Sequence, residues 1–464
     1  MARSLRLLGI ALVGSMVIAS VSSLFDNNGS SSTSEEKEEE SRRPNFLVIL
    51  TDDQRASGTL EVMPITREAF AQEGVRYSKA FATTPVCCPS RASIFTGEYA
   101  HNHGIRTNGD GDKIADLTTM QGLLQEAGWR TGLFGKYINS WSTSKDPSDF
   151  DRWAIHRVKG TGAYVGGTWN VQGSLRQVDE YSTDFVADAA TKFLTEAEEN
   201  DDQPWFLFLS LAAPHAPYLP GSSYAGSPVP EWRPGAAVGE GDRSDKPPHV
   251  RAKSKTEDEG SRLRKKQLRT LRSVDDLVGR VLTTLAEEDE DADTLAVFTS
   301  DNGFLWGEHK LVGKYHPYKE SVRVPLMLRW PGELEEGTTD DRWAATIDIA
   351  PTFLSIADLD TGDMDGTSLV ERSSRNHVFT EQFKSSSPVP DWAAIRTNRY
   401  HYVEYYGPGG ELTFREFYWL EEDPSELENV LSDEATAGDP SPSALSTIQA
   451  LLEKDKTCAG DNCP

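Results

Sequence analysis

Residues 44–54 read PNFLVILTDDQ, a short apolar run that ends in two carboxylates. A continuous apolar run of this length is typical of a strand that is buried on both faces of a parallel sheet. Asp52 and Asp53 would then lie at the carboxyl end of that strand, where open α/β sheets bind their ligands. This stretch therefore predicts a parallel sheet and also the edge of the sheet that carries a site.

Three further stretches repeat this plan of an apolar run followed by polar residues. They are WRTGLFGKY at 129–137, PWFLFLSLAAPHAPY at 204–218 and TLAVFTSDNG at 294–303. Helical patterns at residues 118–128 and 181–199 lie between them. Strands that alternate with helices indicate an α/β fold.

The C-terminal part of the chain has a different pattern. Residues 393–420 contain two aromatic runs around Gly-Pro-Gly-Gly, which predicts a β-hairpin. We expect this hairpin to belong to a small antiparallel subdomain at residues 371–464, after a catalytic domain at residues 44–370.

The N-terminal residues 1–43 are expected to lie outside the fold. Two arginines precede an apolar run at 7–25 that ends in small residues, which is typical of a secretory signal peptide. A run of this length could also span a bilayer as an uncleaved anchor. Either alternative for residues 1–25 makes the protein secreted or held on the outer face of a membrane. Residues 26–43 are charged and of low complexity, which predicts a disordered linker.

The four cysteines of the chain form two pairs. An exported chain can form disulfides, and Cys458 and Cys463 are close enough in sequence to close a small loop. The alternative for that pair is two free thiols. Cys87 and Cys88 are adjacent, and adjacent cysteines rarely bond to each other because the ring is strained. The adjacent pair therefore needs another explanation.

Oxygen-rich residues end two of the predicted strands. Asp52 and Asp53 end one, and Asp301 and Asn302 end another. A hard cation such as Ca²⁺ takes about six to eight oxygen ligands. One such pair is often only a turn or a helix cap, but two pairs in the same structural context predict a metal site.

Positive side chains also follow strands or turns of this region, namely Arg91, Lys136 and Lys314, together with His215. Beside an acidic metal site, they indicate a pocket for a tetrahedral dianion. The formal net charge of −26 argues against nucleic acid as a partner. A small anionic substrate is compatible with that charge, because exposed charges are screened beyond about 8 Å.

Residues 87–97, CCPSRASIFTG, contain Cys-x-Pro-Ser-Arg followed by Thr-Gly. This resembles the signature of the type I sulfatases of the alkaline phosphatase superfamily. Other stretches match in family order: NFLVILTDDQ, GLFGKY, PHAPY, FTSDNG, GKYHPYKESVRVPLMLRWPG, TIDIAPTFLSIADL and EEDPSELENV. The resemblance covers residues 44–430 and implies a large mixed, mostly parallel sheet sandwiched by helices, with a small C-terminal antiparallel sheet.

The resemblance explains the adjacent cysteines. In this family the first cysteine of the signature is oxidised to formylglycine by a formylglycine-generating enzyme, which makes Cys87 the modified residue and Cys88 the variable position. The aldehyde hydrates to a gem-diol, so that one hydroxyl attacks sulfur and the other can expel sulfate by C–O cleavage.

The family's residue roles carry over position by position. The positions that match its Ca²⁺ ligands are Asp52, Asp53, Cys87, Asp301 and Asn302. By the same resemblance, Arg91 and Lys136 would hold the formylglycine hydrate. Lys314 and His215 would bind the sulfate and assist departure of the alcohol.

One position departs from the family pattern. Many members have a histidine two residues after the lysine that Lys136 matches, whereas this chain has Ile138. That histidine is implicated in breakdown of the hemiacetal. His101 or His103 could take over its role, and a structural place in a turn is the alternative for both. Around these positions the chain resembles N-acetylglucosamine-6-sulfatases and extracellular heparan 6-sulfatases.

These features predict a calcium- and formylglycine-dependent sulfuric ester hydrolase that acts on a sulfated carbohydrate or an aryl sulfate. A phosphodiesterase or phosphonate monoester hydrolase is the alternative, because relatives with the same signature cleave phosphorus esters. A tethered glycan-binding module with an unmodified cysteine is a third hypothesis. The full set of carboxylates and cations argues against it, since a pure binder does not need them all.

Overall fold

The computed structural model describes residues 43–157, 159–199, 203–371, 374–384, 387–432 and 438–464. The predictions for residues 1–25 and for the linker up to residue 42 lie outside the described residues. Within the described part of the chain, no helix has the length and apolar character needed to cross a bilayer.

The secondary structure follows the predicted alternation of strands and helices. The strands are β1 Asn45–Thr51, β2 Val75–Phe81, β3 Arg130–Gly135, β4 Arg152–His156, β5 Gly167–Val171, β6 Ser174–Val178, β7 Trp205–Ser210, β8 Thr294–Ser300, β9 Leu305–Trp306, β10 Val312–Gly313, β11 Leu326–Arg329, β12 Thr338–Ala345, β13 Val378–Gln382, β14 Asp391–Arg396, β15 Tyr400–Tyr406 and β16 Leu412–Trp419. The helices are α1 Pro64–Thr66, α2 Cys87–Thr96, α3 Ala100–His103, α4 Met120–Glu126, α5 Ser182–Glu198, α6 Pro248–Arg251, α7 Glu257–Glu287, α8 Lys319–Val322, α9 Ile349–Ile356 and α10 Pro442–Asp455.

A large sheet forms the centre of the fold. Its strand order is β12-β2-β11-β8-β1-β7-β3-β4-β5-β6. The central strands β8, β1, β7, β3 and β4 are parallel to their neighbours in this group. Strand β11 runs antiparallel between β2 and β8, and β5 and β6 add an antiparallel edge. The sheet is therefore mixed and mostly parallel, as predicted.

The central strand β1 is buried from both sides. Leu47 and Ile49 pack into a core with residues of α5 and α7, and Phe46, Val48 and Leu50 pack into a second core with residues of α2, α4 and α9. Helices cover both faces of the sheet, so β1 needs apolar residues at every position. Each such buried side chain contributes about 1.5 to 3 kcal/mol to folding.

The second sheet is antiparallel and has the strand order β13-β14-β15-β16. Strands β15 and β16 form the predicted hairpin, which Gly407 closes by donating its N–H to the carbonyl of Glu411. Tyr402 and Phe417 of this sheet pack with Leu452 of α10. The small C-terminal sheet is confirmed, and the domain boundary at residues 370 and 371 stays a prediction.

The C-terminal cysteines are bonded to each other. Cys458 and Cys463 form a disulfide with their Cα atoms 5.0 Å apart, as the sequence predicted. The carbonyl of Cys458 accepts hydrogen bonds from the side chains of His101 and Asn102. The disulfide-closed loop is thereby attached to the segment that follows α2.

Candidate active site

The carboxyl ends of the parallel strands bring their polar residues together. Thr51 of β1 pairs with Ser300 of β8, so Asp52 and Asp301 leave the sheet side by side. Lys136 follows β3, and its N–H donates to the carbonyl of Ser210 at the end of β7. All of these side chains are buried. The apolar runs that end in polar residues thus place those polar residues in one cluster at one edge of the sheet.

Helix α2 supplies the candidate nucleophile at its first residue. Cys87 and Arg91 are four residues apart, so both project from the same face of the helix. The Cys87 thiol donates to Asp52 Oδ1 over 3.3 Å, and Arg91 Nε donates to Asp301 Oδ2 over 2.9 Å. Gly97 ends the helix in a left-handed conformation with φ of 71°. The signature sequence therefore encodes both the start of α2 at the site and its end.

Three buried cations balance the three carboxylates of the cluster. Lys136 Nζ donates to Asp52 Oδ2 over 2.6 Å. Lys314 Nζ donates to Asp53 Oδ1, and it lies 2.6 Å from Cys87 Sγ. Because unpaired buried charge is costly, each member of this network stabilises the others.

The charges of the cluster set its protonation states. Burial alone would raise the pKa of Asp52, but Lys136, His215, Arg91 and Lys314 outweigh it and hold this pKa well below its ordinary value. Burial and the neighbouring charge of Asp52 raise the pKa of Asp301. Burial also raises the pKa of the Cys87 thiol. The unmodified cysteine is therefore protonated near neutral pH and is a poor nucleophile.

The residues present fit the hard cation that the resemblance implies. Ligand atoms of Asp52, Asp53, Cys87 and Asp301 all lie within 4.8 Å of one another. Asn302 donates its amide N–H to Asp53 Oδ1, which leaves its Oδ1 to accept from Lys314 over 3.2 Å. Carboxylate and amide oxygens from two strand ends are the donors that Ca²⁺ prefers.

His215 lies at the more open side of the cluster. Its side chain is 29% exposed, and Nε2 is 3.9 Å from Asp53 Oδ2. Nδ1 is 2.8 Å from the carbonyl of Ala216, and since a carbonyl can only accept, Nδ1 carries a proton. A neutral His215 therefore presents Nε2 as an acceptor toward the cluster.

The structure brings every predicted site residue into this one cluster, whereas the chemical role of each stays a prediction. The residues are Asp52, Asp53, Cys87, Arg91, Lys136, His215, Asp301, Asn302 and Lys314. The pattern of apolar runs missed Ser210, whose hydroxyl accepts from Arg91. It also missed Gln267 of α7, which donates to the carbonyls of Asp53 and Pro214. Ser210 ends β7 as Asp52 follows β1, so the same signal could have identified it.

The two histidines proposed to replace a base at Ile138 have structural partners. His101 contacts Glu381 through Nδ1 and the carbonyl of Cys458 through Nε2. His103 contacts Ser93 through Nε2, and its Nδ1 accepts the N–H of Ile105. Both nitrogens of each ring are engaged, which favours the structural alternative for both residues.

A histidine that the sequence analysis did not single out lies beside Lys136. Ile155 of β4 pairs with Gly135 of β3, so His156 and Lys136 leave neighbouring strands at the same level. His156 is buried and stacks on Trp169, with 4.0 Å between ring centroids. It ends a five-residue strand, and that short run gave too weak a signal to identify it.

Two family profiles match most of the chain. The profile of the sulfatase family matches residues 44–359, and that of the N-sulphoglucosamine sulphohydrolase C-terminal region matches residues 307–440. The extracellular sulfatase SULF-1 homolog of Drosophila melanogaster is 31% identical over 378 residues, which are 74% of this chain and 32% of that protein. Human N-acetylglucosamine-6-sulfatase is 30% identical over 359 residues, which are 70% of this chain and 64% of that protein. The chain thus spans less than two thirds of the length of either relative.

A solved structure shares the fold. It was determined in complex with its substrate D-glucosamine-2-N,6-O-disulfate, and it superposes with a TM-score of 0.76 at 22% sequence identity. The superposition covers 89% of this chain and 97% of that one. Since the family profile spans most of the chain and includes each strand end that builds the cluster, this chain belongs to the sulfatase family.

Proposed function

We propose that this protein hydrolyses sulfate esters of sulfated sugars, with a 6-sulfated glucosamine unit as the substrate class. The observation that carries the proposal is the position of Cys87 at the start of α2, in contact with both Asp52 and Lys314. Family membership supports the reaction. The names of the human relative and of the bound ligand in the similar structure support the sugar.

Cys87 is proposed to act after conversion to formylglycine by a formylglycine-generating enzyme. The burial that raises the thiol pKa argues that the unmodified side chain is not the nucleophile. Formylglycine supplies a hydrated aldehyde with two hydroxyls, one to attack sulfur and one to release sulfate. Cys88 occupies the variable position of the signature and is proposed to remain a cysteine, whose thiol lies 3.6 Å from the carbonyl of Asn139.

Calcium is proposed to bind among Asp52, Asp53, Asp301, Asn302 and the modified Cys87. When bound, it would supply positive charge for a sulfate oxygen and orient the nucleophile. With three carboxylates and three cations already in balance, a divalent ion gives the cluster a net positive charge. That charge favours an anionic ester in an otherwise acidic protein.

The remaining polar residues are proposed to contact the nucleophile, the sulfate group and the departing alcohol. Arg91 and Lys136, which contact Asp301 and Asp52, are placed to fix the hydrate of residue 87. Lys314 is placed to neutralise sulfate charge as it develops. His215 lies at the open side with Nε2 toward the cluster, so a ring protonated at both nitrogens is placed to pass the Nε2 proton to the departing alcohol.

We further propose that the protein acts outside the cytoplasm, after export by residues 1–25 as a cleaved signal peptide or a retained anchor. The apolar run at residues 7–25 and the name of the extracellular Drosophila relative support this location. Residues 26–43 would tether a catalytic domain at 44–370 and a C-terminal subdomain at 371–464.

The test is a paired substrate assay on protein made with a formylglycine-generating enzyme. We expect sulfate release from N-acetylglucosamine-6-sulfate at a rate that exceeds hydrolysis of a phosphonate monoester and of a phosphate diester. A pocket for a tetrahedral anion also admits phosphorus esters. The same assay therefore tests the alternative function, a phosphodiesterase or phosphonate monoester hydrolase. Faster cleavage of the phosphorus esters, with little sulfate release, would replace the sulfatase proposal.

A further inference from the structure

A polar cavity of about 340 Å³ opens beside Lys136, at the carboxyl ends of β3 and β4. Its walls include the segment from Lys136 to Trp141 and the end of β4 with the residues that follow it. Lys136 belongs both to this cavity and to the catalytic cluster, where its Nζ contacts Asp52. The cavity therefore adjoins the proposed reaction centre.

The charge of the cavity is opposite to that of the protein. Arg157 and Lys159 line it together with Lys136, and none of its lining residues is acidic. Arg157 and Lys159 are exposed, and among the described residues neither has an ion-pair partner. Two unpaired cations at the rim of a cavity are notable in a chain with a formal net charge of −26.

Two residues that line the cavity carry buried polar atoms without partners among the residues described. His156 is 5% exposed, and its Nδ1 has no hydrogen-bond partner in the described structure. The Oδ1 of Asn139 is likewise buried without a partner, and both residues line the cavity. A buried polar atom that lacks a partner costs free energy, so this wall of the cavity has hydrogen-bonding capacity that the described residues leave unused.

The orientation of His156 is fixed in advance. Its ring stacks on Trp169 at 4.0 Å between centroids. Burial, together with the charges of Lys136 and Arg91, lowers its pKa to about 3. A neutral, rigid imidazole offers one donor and one acceptor, which suits a sugar hydroxyl.

We propose that this cavity is a subsite for a second anionic group of the substrate, held by Arg157 and Lys159 while the scissile sulfate ester occupies the catalytic cluster. This inference rests on the proposed function and narrows it to sugars with two anionic groups. The second group is a sulfate on the same ring or the carboxylate of a neighbouring uronate. Both are oxyanions that accept charge-assisted hydrogen bonds from Arg and Lys.

The test compares substrate preference in a double variant. For Arg157→Gln with Lys159→Gln, the ratio of kcat/KM for D-glucosamine-2-N,6-O-disulfate to kcat/KM for N-acetylglucosamine-6-sulfate should fall about 10-fold, since each lost charged contact weakens binding. A uronate-containing disaccharide with one 6-sulfate forms the second arm and identifies which anion is bound. Lys265→Gln with Lys266→Gln, two exposed cations of α7, is the control and should leave the ratio unchanged.

Direct binding separates this inference from the proposed function. Calorimetry with Cys87→Ala protein and D-glucosamine-2-N,6-O-disulfate should show an affinity that the Arg157 and Lys159 substitutions weaken about 10-fold. If wild-type protein releases sulfate but the kinetic ratio, this affinity and kcat/KM for the uronate-containing disaccharide are all unchanged in the double variant, the subsite is wrong and the sulfatase proposal stands. If wild-type protein releases no sulfate from any sugar, the proposed function fails and the calorimetry alone decides the subsite.

Discussion

Lys314 donates a hydrogen bond from Nζ to Cys87 Sγ over 2.6 Å, although 227 residues separate them in sequence. The same ammonium group contacts Asp53 and Asn302. Burial opposes its charge, but Asp53, Cys87, Asp52 and Asp301 raise the pKa of Lys314 well above its ordinary value. Lys314 therefore stays charged and connects the nucleophile position to the proposed metal ligands.

We expect Lys314→Met to lower kcat/KM for sulfate release by about 10² to 10³, the usual effect of removing one group that stabilises developing negative charge. Methionine keeps the length of the side chain but has no charge and no donor. Steady-state assays on matured protein measure the effect. Lys319→Met is the control, because Lys319 contacts Glu320 and the carbonyl of Pro424 outside the cluster. If kcat/KM of Lys314→Met stays within a few-fold of the wild-type value, Lys314 does not stabilise the developing negative charge.

Calcium should stabilise the folded protein through Asp301. A ligand that binds only the native state adds about 2.7 kcal/mol at 100 times its Kd, so chelation should lower the Tm of wild-type protein. Asp301→Asn removes one anionic ligand and should shrink the difference in Tm between calcium and chelator. Calorimetric scans in both conditions provide the measurement.

Asp291→Asn is the matched control for this experiment. Asp291 precedes β8, at the end opposite Asp301, and pairs with Arg329 through both carboxylate oxygens. Its loss should lower the Tm equally with and without calcium. A wild-type Tm that does not respond to calcium would show that the acidic cluster is not a metal site.

Acidification should destabilise the fold through His103. Burial lowers the pKa of this residue to about 3, whereas the ordinary value of an exposed histidine is about 6.5. Below pH 6.5 the unfolded chain binds a proton that the folded protein does not, so stability is full above that pH and falls as the pH decreases. From pH 7 to pH 5, His103 should lower the free energy of unfolding by about 2 kcal/mol. Urea unfolding of wild type and His103→Gln at both pH values tests it, and the variant should lose less stability.

His101 provides a control with the opposite sign. Burial opposes its charge, but the hydrogen bond and charge of Glu381 raise its pKa. His101 therefore stabilises the fold fully below its pKa in the unfolded chain, and this stabilisation is lost as the pH rises through its pKa in the folded protein. His101→Gln should cost more stability at pH 5 than at pH 7. The same pH slope for both variants would contradict the assigned protonation states.

The end of α2 should be sensitive to substitution at Gly97. Both Gly97 and Gly104 have left-handed backbones, with φ of 71° and 73°, and alanine there costs about 1 to 2 kcal/mol. A Cβ at Gly97 would also lie 2.8 Å from Met364 Sδ, whereas nothing lies within 4 Å of a Cβ at Gly104. Gly97→Ala should therefore lose about 1 kcal/mol or more beyond Gly104→Ala. Equal unfolding free energies for the two variants would show that Met364 moves aside without cost.

The strand ends of the site could be predicted because each is a local pattern. An apolar run that stops at a carboxylate or a lysine specifies its own position at the edge of a parallel sheet, and Asp52, Lys136 and Asp301 all followed this rule. The signature around Cys87 likewise encodes a helix start and stop within a few residues. For these residues, the local sequence is sufficient to predict their position in the fold.

Other parts depend on contacts between distant segments, which no local pattern encodes. Lys314 lies between the short strand β10 and α8, and its contact with Cys87 joins residues that are 227 positions apart in sequence. The cavity beside Lys136 combines the segment after β3 with the end of β4. His101 and His103 were close to Cys87 in sequence, but their rings turn to Glu381 and Ser93 instead.

Cys87, once oxidised, is proposed to carry the hydrolysis of a sulfate ester. The most direct test is sulfate release over many turnovers by wild-type and Cys87→Ser protein, both made with a formylglycine-generating enzyme and with conversion of wild-type Cys87 verified by peptide mass spectrometry. Serine keeps one hydroxyl but lacks the second one needed to expel sulfate. We predict steady release from N-acetylglucosamine-6-sulfate by the wild type and no sustained turnover by Cys87→Ser. Sustained turnover by Cys87→Ser at the wild-type rate would contradict the account.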